Sequence, residues 1–467
     1  MNSNRSSIRY FTPYQTPHLM HRRSLLGLGA LSALSLAAGM PRVWAQAVPA
    51  GRQGLDGGRL VVVFLRGAYD GLSAFVPYAD ADYYAMRPNI AIAAPDGTAQ
   101  TAIRLDKTFA LHPALSPLLP LWQQGVLGFV PAAGLPAPNR SHFDAQYQME
   151  IAQSGKTSSA PGWLNNTAAL ARANAGSAVA LGVGEANPAI LAGQAAVKLI
   201  PRGQSAERTG VLANDRTRQA LLDLYAGDDK ISEAFRQGAG SRMQSAQELT
   251  TQRTERAEKI AQDSRRMADK NLDRDGTPTN PQAQTAQMLA ASNGAADPVG
   301  LQLDAQHLGT LMRNDRRLRL GFLSAGGWDT HANQGAATGQ LANNLGNLAR
   351  GIAQLRQDFS EPGDVIVVMS EFGRTSAENG TRGTDHGFGN AMWVIGNRVA
   401  GGRWHGQWTG LARDNLNEGR DLPAHHDYRA VLAQVLRGTF AFGDAQLADV
   451  LPGAKLDKRL DGLFNKA

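Results

Sequence analysis

Acids and imidazoles recur in short, glycine-flanked stretches of this chain. Asp70 and Ser73 lie in "RGAYDGLS", Asp329 and His331 in "GGWDTHANQ", Glu371 and Arg374 in "SEFGRT", and Asp385 with His386 in "GTDHGFGNAMW". Mixed carboxylate oxygens and imidazole nitrogens suit a hard or borderline divalent cation such as zinc, calcium, magnesium or manganese, and two neighbouring cations need bridging carboxylates. Taken singly, Asp before Gly is ordinary turn chemistry; a common placement at strand ends is what makes these residues a candidate site. A fifth stretch, "NRSHFDAQ", sets Ser141 at the start of a helical pattern. Ser141 reads either as a helix cap paired with Asp144 or as a nucleophilic hydroxyl where backbone N–H groups favour an incoming anion. Arg140 before it and Arg374 are candidates to clamp such an anion, and His142 after it is placed to orient or ligate. The chain has no cysteine, which excludes thiolate zinc sites and cysteine nucleophiles.

Positioning these residues falls to a set of short apolar runs that read as buried strands, at 59–67, 125–132, 178–184, 318–327, 364–373 and 391–396. Helical patterns lie between several of them, including "LANNLGNLARGIAQLRQDF" at 341–359. Alternating strands and helices predict an α/β three-layer sandwich with a mainly parallel sheet, whose functional residues sit on loops after the carboxyl ends of strands. Residues 205–315 break this rhythm. They are polar, charged and helical with a thin apolar stripe, which predicts a helical insertion or cap between a first α/β part at 48–204 and a second at 316–467. "DRDGTPTNPQ" at 273–282 reads as a turn, since it lacks the later ligands of a calcium loop. His112 reads as a turn residue. One of His405, His425 and His426 is a candidate late ligand, Asp427 caps a helix, and Trp393, Trp404 and Trp408 read as packing.

The first 47 residues read as an address. Arg22-Arg23 precedes an apolar run from Leu25 to Met40, and Ala45-Gln46-Ala47 reads as a small-residue cleavage site. This is the pattern of a cleaved twin-arginine signal, which predicts a periplasmic or secreted protein with no membrane span after cleavage. The segment holds Arg5, Arg9, Arg22, Arg23 and Arg42 and no acid, so removing its five charges takes the net charge from +7 to +2. No basic patch argues for nucleic acid.

Together "LVVVFLRGAYDGLSAFVPYADADYYAMRP", "LHPALSPLLPLWQQGVLGFVPAAG", "NRSHFDAQ", "GGWDTHANQ", "SEFGRT" and "TDHGFGNAMWVIG" resemble the exported bacterial family known as domain of unknown function 1501. That family is grouped with the alkaline phosphatase superfamily. The resemblance implies an alkaline phosphatase-like two-metal fold that transfers phosphoryl or sulfuryl groups. By that likeness Asp70 matches the acid after the first strand, Ser141 the nucleophile, and Asp329 with His331 the acid and histidine of one metal. The superfamily spaces the last pair four apart, where this chain has Asn333. Two registers remain for the other metal: Asp385-His386 as a displaced ligand pair, or Glu371 as the acid with Phe372 in place of the histidine and His386 as a later ligand. Without cysteine, and without the Pro and Arg that should follow Ser141, a formylglycine mechanism is disfavoured. The implied function is a periplasmic, metal-dependent hydrolase of phosphate or sulfate esters. The alternative is an exported binding or assembly protein that keeps the fold without turnover.

Overall fold

The computed structural model describes residues 57–154, 160–170, 178–267, 291–293 and 295–465, so the leader and the 273–282 turn lie outside the described residues. Six consecutive apolar residues, Leu60–Leu65, are fully buried and form β1. A run without polar alternation needs cover on both faces, and its side chains divide accordingly. Leu60, Val62 and Phe64 share one core with Ala145, Met149, Leu164, Val431 and Val435. These come from the helices His142–Ile151, Trp163–Leu170 and Tyr428–Phe440. Val61, Val63 and Leu65 share a second core with Leu301, Leu308, Leu345 and Ile352, carried by the helices Leu301–Asn314 and Gln340–Asp358. Each such side chain removed from water contributes roughly 1.5–3 kcal/mol, which is why the apolar spacing rather than helix propensity places these helices.

In chain order the remaining strands are β2 (Phe75–Val76), β3 (Ile103–Arg104), β4 (Ala110–Leu111), β5 (Leu127–Gly134), β6 (Ala180–Val183), β7 (Val197–Ile200), β8 (Leu320–Ala325), β9 (Val365–Ser370), β10 (Asn390–Gly396) and β11 (His426–Asp427). The main sheet has eight strands in the order β11-β5-β10-β9-β1-β8-β6-β7, and β2, β4 and β3 form a small separate sheet. β10 runs antiparallel to both neighbours, β5 and β9, while the other pairings in the main sheet are parallel. The protein is therefore α/β, with a mostly parallel sheet between two helical layers. One consequence governs the site. The carboxyl ends of β1, β5, β8 and β9 and the amino end of the reversed β10 all meet the same edge of the sheet.

Within 205–315 the helix Asp215–Leu224 buries none of its side chains, and Lys230–Met267 forms one long helix. Leu301–Asn314 behaves differently: Leu301, Ala305, Leu308, Leu311 and Met312 all enter the second core. The α/β body therefore resumes before position 315, because an apolar stripe of this width belongs against the sheet. Among the described residues no helix is long and apolar enough to cross a membrane.

Candidate metal centre

The loop after β8 is drawn tightly over the sheet edge. Gly67, just past β1, has φ +111°, and a Cβ there would stand 2.9 Å from the Asp329 nitrogen. A Cβ on Gly383 would meet the His331 carbonyl oxygen at 2.3 Å. Only glycine lets the three segments approach this closely.

At their junction three imidazoles and one carboxylate converge. His142 Nε2 lies 2.9 Å from His386 Nε2 and 3.5 Å from Asp329 Oδ1, and His386 Nε2 is 3.3 Å from the same oxygen. His331 Nε2 stands outside this triangle, 2.9 Å from Asp329 Oδ1 and 3.0 Å from His386 Nε2. The outward nitrogen of each ring is committed to an acceptor. His142 Nδ1 donates to Glu371 Oε1 at 2.7 Å, His331 Nδ1 to Asp385 Oδ1 at 3.0 Å, and His386 Nδ1 to the Arg140 carbonyl at 2.9 Å. Carboxylate and carbonyl oxygens only accept, so this network assigns the proton of each neutral ring to Nδ1 and turns three Nε2 lone pairs inward. Lone pairs and a carboxylate this close repel one another unless a cation lies among them.

Without an ion, a proton meets the same demand. Burial lowers the His142 pKa, but hydrogen bonds to Asp329 and Glu371 outweigh it and push the ring up to about 9. At neutral pH the metal-free ring is therefore the cation between the two acids, and an incoming metal ion displaces its Nε2 proton. Burial would raise Asp329, yet His142, His331, His386 and Arg374 hold its carboxyl far below the usual range. Its second oxygen, Oδ2, is buried with no hydrogen-bond partner. An ion with bonds of about 2.0–2.2 Å in a tetrahedral site sets its ligand atoms about 3.4 Å apart. The His142, Asp329 and His386 donor atoms, all within 4.8 Å of one another, fit such an ion.

Other residues expected at the site have different positions. Asp70 is buried and its carboxylate is saturated by Arg87 Nη1 at 2.6 Å, Arg87 Nη2 at 3.1 Å, and Ser73 and Gln334 at 2.7 Å each. It lies outside the triangle as half of a buried ion pair. Glu371 faces away from the triangle, its Oε1 taken by His142, by the Gly67 N–H at 2.8 Å and by Gln146 Nε2 at 2.9 Å. Asp385 backs His331 in the same way. Both acids hydrogen-bond imidazoles and Asp329 is the acid facing inward, while His386, which both registers place at the metal, lies in the triangle. Arg374 is buried and directs Nε, Nη1 and Nη2 to Asp329 at 2.6 Å and to the carbonyls of Gly67, Ala68, Trp328 and Thr384, so it serves the scaffold and Asp329. Ser141 caps its helix, Oγ accepting from Asp144 N at 3.4 Å. Arg140 pairs with Glu418 at 2.7 Å, and its Nε is buried without a partner.

The residue underweighted by sequence is His142. Its signal was adjacency to Ser141, but a hydroxyl at a helix start drew the chemical reading away from the imidazole one residue later. The late histidines serve the scaffold: His405 Nε2 bonds the Ala400 carbonyl, His425 bonds Thr409, and His426 lies between Asp457 and the Gln407 N–H. Asp427 caps the helix Tyr428–Phe440 by accepting from Arg429 N.

Fold and site together define an α/β sandwich with an imidazole–carboxylate centre at the carboxyl edge of its parallel strands. The chain belongs to the family described as Protein of unknown function (DUF1501), whose family model matches residues 58–451. No curated protein and no solved structure matches it.

Proposed function

We propose that His142, Asp329 and His386 hold a divalent cation, with His331 beside it, and that the protein hydrolyses phosphate or sulfate esters. The observation that carries this reading is the outward commitment of all three Nδ1–H groups, the arrangement in which metal-binding histidines are oriented by carboxylate or carbonyl partners. A donor set rich in imidazole favours zinc over calcium, magnesium or manganese, which prefer oxygen donors. When bound, the cation supplies Lewis acidity for attack on the ester. The chain's own residues do the rest. Glu371 and the Arg140 carbonyl orient His142 and His386, Arg374 fixes Asp329, and the unpartnered Nε–H of Arg140 is the group available to an anionic ester oxygen. Ser141, engaged as a cap, leaves the attack to water. We also read the fold as alkaline phosphatase-like and the chain as exported by the twin-arginine route to the periplasm or beyond, on the leader motif and the family likeness.

The test is metal analysis of the purified mature protein, with aryl phosphate, phosphodiester and aryl sulfate assays on wild type and Asp329→Ala. About one ion per chain with turnover in the wild type, and neither in the variant, is the expected result. A bound ion without turnover on any of the three would instead support a non-catalytic binding protein.

A further inference from the structure

Gln146 stands one helical turn after His142, on the same face of the helix, and is completely buried. Its amide is held in one orientation. Arg66 Nη1 lies 3.0 Å from Oε1, and a guanidinium only donates, so the amide oxygen faces Arg66. The amide nitrogen then gives one proton to Glu371 Oε1 at 2.9 Å and the other to the Ala291 carbonyl at 2.8 Å. Arg66 is itself fixed between Glu185 at 2.6 Å and Glu150 at 2.8 Å. Glu371 Oε1 thus receives His142 and Gln146 from one helix and Gly67 from the end of β1. The His142 ring packs against the rings of Phe372, 4.8 Å away, and His386, 4.3 Å away, and its Nε2 faces His386 and Asp329. On the Nδ1 side it is tied to the sheet through this oxygen.

We propose that Gln146 is a positioning residue, locked by Arg66, that holds Glu371 Oε1 in place and through it sets the tautomer and aim of the His142 ring. This rests on the reading that His142 ligates a cation. Outer partners of metal-binding histidines change affinity by about 10- to 100-fold when removed. The full mature chain is tested by zinc competition against a chromophoric chelator, by the visible spectrum of the cobalt(II)-loaded protein, and by histidine ¹⁵N NMR of the metal-free protein. The NMR is followed through the His142 titration, with the tautomer read on the alkaline side where the ring is neutral. Gln146→Met is expected to weaken zinc binding about 10- to 100-fold, alter the cobalt spectrum and mix the His142 tautomers. In a cycle with Glu371→Gln, the double variant is expected to bind no more weakly than the weaker single, because both changes cut the same link. Should Gln146→Met not fold, Gln146→Asn, too short to reach both partners, carries the same expectation. Unchanged zinc affinity and tautomer, or losses that simply add in the cycle, would overturn the proposal. Failure of wild type to take up zinc would refute the metal reading instead, and the tautomer measurement would still decide the role of Gln146.

Discussion

At the scale of residues, two side chains with similar surroundings on paper have separate fates. Ser141 and His142 are neighbours, yet the hydroxyl caps the helix while the imidazole enters the cluster. Ser141→Ala is expected to cost about 1 kcal/mol in urea unfolding, the usual loss of a cap, with ester turnover retained. Abolished turnover at full metal content would restore Ser141 as nucleophile. A second residue gives a clean pH signal away from the centre. His112 is buried, caps the 3₁₀ turn Pro113–Leu118 by accepting from Ala114 N, and reaches the Ala336 carbonyl through Nε2. Burial pushes its pKa down to about 4 from 6.5. The unfolded chain therefore takes up a proton first as pH falls, so the stability contributed by neutral His112 is complete above pH 6.5 and is lost toward pH 4. The stability advantage of wild type over His112→Asn should shrink by on the order of 2–3 kcal/mol between pH 7 and pH 4 in urea titrations. A constant difference would show that His112 carries no such linkage.

Elements were legible in the sequence where apolar residues run unbroken. All six expected strands form, because β1, β8, β9 and their neighbours are covered on both faces and carry the composition that such cover demands. β7 was not legible, since "VKLI" is only partly buried at the sheet edge and its pattern is too short and mixed to stand out. β11 is two residues long and exists through pairing with β5. The strand ends also located the site, because loops after parallel strands must gather at one edge. Which acid faces inward was not legible. That depends on Arg87 claiming Asp70, on Gln146 and Gly67 claiming Glu371, and on three imidazoles surrounding Asp329, all contacts between residues remote in sequence. The extent of the α/β body is testable in the same terms. Leu308, fully buried on Leu301–Asn314, and Leu224, 57 % exposed on Asp215–Leu224, lie within the same predicted insertion. Leu308→Ala is expected to cost about 2–5 kcal/mol and Leu224→Ala within about 0.5 kcal/mol by denaturant unfolding. Equal small costs would detach Leu301–Asn314 from the core.

For the whole molecule, a cation held only by the folded chain stabilises it by mass action, about 2.7 kcal/mol when free ion is 100 times Kd. Chelation should therefore lower the thermal midpoint, and restoring zinc should recover it; calorimetry that shows no metal-dependent shift would contradict a folded-state site. His142 and His386 are 244 residues apart in the chain, and the strand that delivers His386 is β10, wedged in reverse between β5 and β9. Until β10 is inserted, β5 is separated from β9 and the two imidazoles have no common point to face. The centre therefore requires β10 in place, and closing so long a loop is an entropic cost met by the sheet rather than by the ion. A bound ion should accordingly slow unfolding far more than it speeds folding, acting as a kinetic lock applied only to chains whose central sheet is complete.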